Sequence, residues 1–111
     1  MPHCVVEHSS AIDGNTLIPL VFAGALESKL FEIDGSDIKV RAMPYSNYQT
    51  GNVDVDFVHV TLKILSGRTI DQKSMLSKLV LEKLKTQNLV NCSISVEVVD
   101  IDRVSYSKVV M

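Results

Sequence analysis

Proline directly follows the initiator methionine, and this Pro2 opens the segment His3-Cys4-Val5-Val6-Glu7-His8, whose alternation is that of a strand. Methionine aminopeptidase removes Met1 when a small residue follows it. What remains is then a secondary amine at the rigid start of a strand, with no side-chain rotamers to order. An α-amino group titrates near ~8, closer to neutrality than any lysine, so modest burial or a neighbouring cation leaves it unprotonated and basic. Pro2 is therefore a candidate catalyst. Proline at position 2 also occurs as a processing signal or by chance, and with Met1 retained its nitrogen is an amide without a basic lone pair.

The other chemistry-bearing residues are sparse. His3, His8 and His59 form no short ligand cluster, so no metal is expected. Cys4 and Cys92 are too few to staple a scaffold and read as buried free thiols in a reducing compartment. The Lys and Arg residues are scattered and the formal net charge is -2, which argues against nucleic acid as a partner. No apolar run approaches the roughly 20 residues of a membrane span, and no cationic stretch leads an apolar one at the N-terminus. A cytoplasmic protein is expected.

With 111 residues, 46% of them apolar, the chain fits one domain around one core. No Pro-, Gly- or Ser-rich linker interrupts it. Its order is a unit used twice without sequence identity, over about 1–48 and 54–103. The first runs strand 3–8, helix about 17–32 and strand about 38–43. Thr16 can cap that helix and Pro19 would sit in its opening turn. The second runs strand about 56–65, helix about 69–88 and strand about 93–101. Thr69 with Gln72 three residues on has the form of a capping box, and Leu76, Leu79, Val80, Lys83 and Leu84 have helical spacing.

Alternate strand residues face opposite sides of a sheet. The even positions, from Cys4 and Val6 through Val58, Val60, Leu62 and Ile64 to Ile94, Val96 and Val98, are almost wholly apolar and must lie under the helices. The odd positions, including His3, Glu7, Lys39, Arg41, His59, Lys63 and Glu97, form a mixed face. Two helices cover only one side of a four-stranded sheet, so the mixed face is left to water or another subunit. The tail from Arg103 to Met111 reads as a further strand with no partner in its own domain, suited to a neighbour's edge. Pattern alone gives a two-layer α/β (α+β) domain. A ferredoxin-like interleaving and two side-by-side parallel units remain equally open.

The run Phe57-Val58-His59-Val60-Thr61-Leu62-Lys63-Ile64 with Gly67-Arg68-Thr69 beyond it closely resembles the corresponding segment of the 5-carboxymethyl-2-hydroxymuconate delta-isomerase family, in the tautomerase superfamily. The N-terminal Met-Pro-His-x-x-x-Glu and Ile38-Lys39-Val40-Arg41 match in the same order and at similar spacing. The resemblance implies a tautomerase-like β-α-β repeat with a four-stranded mixed sheet and two helices on one face. It also implies a homotrimer with sheets inside, and an amino-terminal proline as acid–base catalyst without a cofactor. Residue by residue, Pro2 matches the catalytic proline, while Arg41 and Arg68 match family arginines that would grip a small anionic substrate or polarise its developing oxyanion. The plainer alternatives are that Arg41 pairs with Glu7 or Glu97 and that Arg68 is a solvated loop residue. His59 and Lys63 read as structural. The middle loop, Met43 to Val55, departs from the family, and the chain has no tryptophan, so the pocket wall and substrate are expected to differ. The competing function is a non-catalytic trimer that binds a ligand or partner with the same fold.

Overall fold

The computed structural model describes residues 1–111. Strand β1 (His3–Ser9), helix α1 (Gly14–Glu27) and strand β2 (Lys39–Tyr45) form the first unit; β3 (Asp56–Leu65), α2 (Ile70–Lys85) and β4 (Cys92–Ile101) form the second. The sheet order is β2-β1-β3-β4. Within each unit the strands pair in parallel, and the units meet through the antiparallel β1–β3 pair, with His3 opposite Lys63 and Val6 opposite Val60. This topology is the side-by-side arrangement. The interleaved alternative is excluded because each strand's parallel neighbour is the next strand in its own unit.

The even face forms the core as its alternation requires. Cys4, Val6, Val58, Val60, Leu62 and Ile64 are buried with Leu17, Val21 and Ala25 of α1 and Leu76, Val80 and Leu84 of α2. Burial pushes the Cys4 thiol up to about 12, so it is inert, while Cys92 is only partly buried and its thiol is raised by burial and by Asp56. The helices meet closely at Gly24, where a Cβ would lie 2.8 Å from the Val80 Cα. No helix is long and apolar enough to cross a membrane.

The Thr69–Gln72 capping box forms with both reciprocal hydrogen bonds. The first helix differs from its expected bounds. It starts earlier because Asp13, not Thr16, is the cap: the Asp13 carboxylate accepts from Asn15 N–H, and the Thr16 hydroxyl donates back to Asp13 C=O. Pro19 consequently lies inside the helix rather than in its opening turn. Its missing N–H leaves the Asn15 carbonyl without its helical donor, at an exposed position. The helix ends at Glu27 because Lys29 adopts a left-handed conformation (φ 59), which sends Leu30 and Phe31 against the core instead of along the axis. Strand β2 runs through Pro44, which an edge strand tolerates.

The tail also differs. Residues 103–111 form no strand within the single chain: a turn covers Arg103 to Ser105 and the rest is irregular. Nor is the tail partnerless, since the Arg103 guanidinium donates to Ser66 C=O and the Tyr106 hydroxyl meets His3 Nε2 at 2.9 Å. A tail strand requires the edge of another sheet, and both edges of this one, β2 and β4, are open.

The Gly24 contact gives a sharp expectation. Alanine is a better helix former by about 1 kcal/mol, yet Gly24→Ala should destabilise the fold. Forcing a methyl against the α2 backbone costs about 1–3 kcal/mol in overpacking. A urea midpoint for the variant above that of the parent would refute the close helix contact.

Candidate active site

Pro2 stands where three chain segments converge. Its carbonyl accepts from Lys39 N–H at 3.2 Å, which ties it to the start of β2, and the antiparallel register brings the exit of β3 alongside. The β3–α2 turn carrying Arg68 therefore lies at the same end of the sheet. The Pro2 ring is fully buried, facing the helix side with Cys4 and Val6. The Met1 amino group lies 3.4 Å from Asp37 Oδ2, with side chains 6% and 17% exposed, and Lys39 Nζ lies 3.3 Å from the Met1 sulfur.

The two arginines differ in their surroundings. Arg41 pairs with neither Glu7 nor Glu97. It extends across the mixed face, one guanidinium nitrogen 3.3 Å from His3 Nδ1, and is otherwise exposed. The two acids have other partners: Glu7 Oε2 accepts from the Tyr45 hydroxyl at 2.5 Å, and Glu97 Oε2 is 2.5 Å from His59 Nε2. Arg68 is half-buried and donates to the Leu30 carbonyl in the α1–β2 loop. Arg41 and Arg68 are thus held by different elements, and only Arg41 touches the residue next to Pro2.

Sequence reasoning passed over Asp37, Lys39, His3 and Tyr106. His3, Lys39 and Arg41 could have been grouped, since all three are odd-numbered members of the mixed face. Tyr106 had no local signal because its partner is 103 residues away. No group of three or more His, Cys, Asp or Glu side chains is arranged to hold a metal ion.

The electrostatics of this corner are cationic. His3 is pushed below its ordinary value, first by burial and then by Arg41, Lys39, the chain's amino group and Lys63. The burial part of the His3 shift penalises any charge, whereas the part from Arg41, Lys39 and Lys63 has the sign that favours an anion. At the opposite end of the β1–β2 pair, the Tyr45 hydroxyl is raised by its hydrogen bond to Glu7.

The model of the 5-carboxymethyl-2-hydroxymuconate isomerase family matches residues 2–108. The chain belongs to this family. It is thereby an isomerase-family protein within the tautomerase superfamily. Its fold is shared with solved structures of low identity. A 5-carboxymethyl-2-hydroxymuconate isomerase from Deinococcus radiodurans R1 is 20% identical, covering 96% of this chain and 87% of that one with a TM-score of 0.73. A 5-carboxymethyl-2-hydroxymuconate delta-isomerase is 16% identical over 100% and 89%, with a TM-score of 0.68. The fused 4-OT wild-type symmetric trimer is 13% identical over 96% and 90%, with a TM-score of 0.79. A search of curated proteins finds no match.

The depressed His3 makes a signed prediction for this isomerase-family fold. The unfolded chain takes up the His3 proton near the ordinary 6.5, before the folded one does. Stability contributed by this group is complete above that value and falls as pH drops towards the lower folded midpoint. His3→Gln should flatten that part of the denaturation–pH profile, and NMR titration of the parent should place the His3 midpoint below 6.5. A midpoint at or above it would contradict the cationic corner.

Proposed function

We propose that the mature chain, with Met1 removed, is a cofactor-independent isomerase that moves a proton and a C=C bond in a small unsaturated keto or hydroxy dicarboxylate of the 5-carboxymethyl-2-hydroxymuconate type. The observation that carries this reading is the fixed position of Pro2 at the head of β1, bonded to β2 through its carbonyl, beside a corner where burial and then neighbouring cations depress His3.

With Met1 gone, the Pro2 nitrogen is a secondary amine. Burial of the ring and the nearby Lys39 and Arg41 hold its lone pair free near pH 7, against the opposing pull of Asp37. The amine takes a proton from the carbon between the substrate's carbonyl and its alkene. The electron pair of that C–H bond moves into a dienolate with negative charge on oxygen. The protonated amine then returns the proton two carbons away, which places the double bond in conjugation and regenerates the base. Arg41 and Arg68 supply charge for a carboxylate and for the dienolate oxygen, with bidentate hydrogen bonding as the guanidinium's advantage. Other solved relatives of the fold include a malonate semialdehyde decarboxylase, so the fold itself accommodates more than one reaction.

A homotrimer is part of this reading. The mixed face has no covering layer, both sheet edges are open, and the tail exposes Val104, Val109, Val110 and Met111. A neighbour's edge is a natural seat for such a segment. The alternative is a non-catalytic trimeric binding domain with the same fold, which would hold if Met1 were retained, since Pro2 is then an amide.

Intact mass of protein from its native host should lack the methionine, and a spectrum dominated by the full-length chain would remove the catalytic reading. Pro2→Ala should lower turnover of muconate-type substrates by roughly 10²-fold or more. Substitution of a carboxylate clamp should raise KM, and loss of an oxyanion stabiliser should lower kcat, so Arg41→Ala and Arg68→Ala are separable by kinetics. Light scattering should give a trimer's mass, and deletion from Arg103 onward should weaken it. A monomer at micromolar concentration would be decisive against assembly.

A further inference from the structure

At the far end of β1, roughly 20 Å along the strand from Pro2, His8 is only 2% exposed. Its Nδ1 lies 2.8 Å from the Ser9 carbonyl, which can only accept, so Nδ1 carries the proton and Nε2 of the neutral ring holds a lone pair. Nothing in the chain donates to that lone pair. Every side-chain nitrogen or oxygen fully cut off from solvent has a partner, so Nε2 keeps an opening. Beside it is a cleft of about 390 Å³ between the start of α1 and the end of β2. Gly14 holds the cleft open: a Cβ there would stand 2.7 Å from Nε2 and 3.0 Å from the Ala42 Cβ. Ile12, Ile18 and Ala42 give an apolar wall, no lysine or arginine lines the cleft, and Asp13 supplies its one formal charge. One Asp13 oxygen accepts from Asn15 N–H, and no cation pairs with the carboxylate. The dipole at the start of α1 would by itself favour an anion, but Asp13 caps that terminus and sets a full negative charge against a partial positive one.

We infer that this cleft is a second binding site, for a small primary ammonium with an aliphatic body. One N–H donates to His8 Nε2, another to the free oxygen of Asp13, and the hydrocarbon lies against Ile12 and Ile18. An anion would meet the Nε2 lone pair and the Asp13 charge, both repulsive, and an alcohol has a single proton for two acceptors. The site is separate from the proline chemistry. None of its residues lies in the tail or on the mixed face, the surfaces a trimer would use, so seating the tail on a neighbour removes none of its walls.

The probe is n-butylammonium at neutral pH, titrated into the assembled protein while the NMR resonances of His8, Ser10 and Gly14 are followed, with 1-butanol and butyrate as controls. Butylammonium should bind more tightly than the alcohol, and butyrate should not bind. Nitrogen NMR of the free protein should find His8 neutral with its proton on Nδ1, and Nε2 should move as the ammonium donates to it. His8→Phe keeps a ring and removes the acceptor, and should weaken butylammonium about 10-fold, the scale of a hydrogen bond to a charged group. Asp13→Asn retains a capping side chain and should weaken it about 3-fold, as an exposed ion contact does. Gly14→Ala should fill the cleft and abolish binding. Thermal melts check each fold, and if His8→Phe does not fold, Gly14→Ala decides. A proton on Nε2 of the free protein, butanol or butyrate binding as tightly as butylammonium, or undiminished binding in any folded variant of the three would overturn the proposal.

Discussion

Two helices cannot cover both faces of a four-stranded sheet, and the rest of this molecule follows from that shortage. The even-numbered residues of β1 and β3 are driven under α1 and α2, where Val6, Val60 and Leu62 lose all contact with water. By the two-residue period of a strand, the same burial sends His3, Arg41 and Lys63 to the other side. The charged face is thus a geometric by-product of the apolar one. Its polar groups find partners across strands, as His59 does with Ser95 and Glu97, and Tyr45 with Glu7.

The corner around Pro2 inherits its position from the same pairing. A strand that starts at residue 3 in the middle of a sheet fixes the residue before it, because β2 bonds to its carbonyl and β3 runs antiparallel beside it. Pro2 is held without a loop of its own. The basic groups gather there by register: Lys39 and Lys63 both align with His3, and Arg41, opposite Val5, is two residues further on and on the same face. Burial first, and then their summed field, lower the His3 proton affinity, and the field has the sign that stabilises an anion placed nearby. In the proposed mechanism the base and the bound anion would share this one electrostatic cause.

Most of the architecture was legible along the chain because its signals are local. The strand alternation, the Thr69–Gln72 box and the Leu76–Val80–Leu84 stripe each lie within a few residues, and β3 appears at its expected bounds. Misreadings arose where two local signals competed. Asp13 and Thr16 are both good caps, and the chain uses the earlier one, Asp13, with Thr16 bonded back to its carbonyl. Lys29 bears no mark of a helix stop, yet the chain turns there so that Leu30 and Phe31 can pack.

The sequence by itself determined the two-unit order, the buried face, the family to which the chain belongs, and Pro2 as the residue to examine. These are properties of short-range pattern and residue type, which survive without coordinates. Only the tertiary structure decided between side-by-side and interleaved strands, because both satisfy the same periodicity and differ only in which edges bond. It alone turned Arg41 towards His3 rather than Glu7 or Glu97, tied Arg68 to the Leu30 carbonyl, and returned Tyr106 to the first strand. Those contacts join residues far apart in the chain, and no local preference specifies them. They exist because the sheet register and the path of the tail bring the groups within hydrogen-bonding reach.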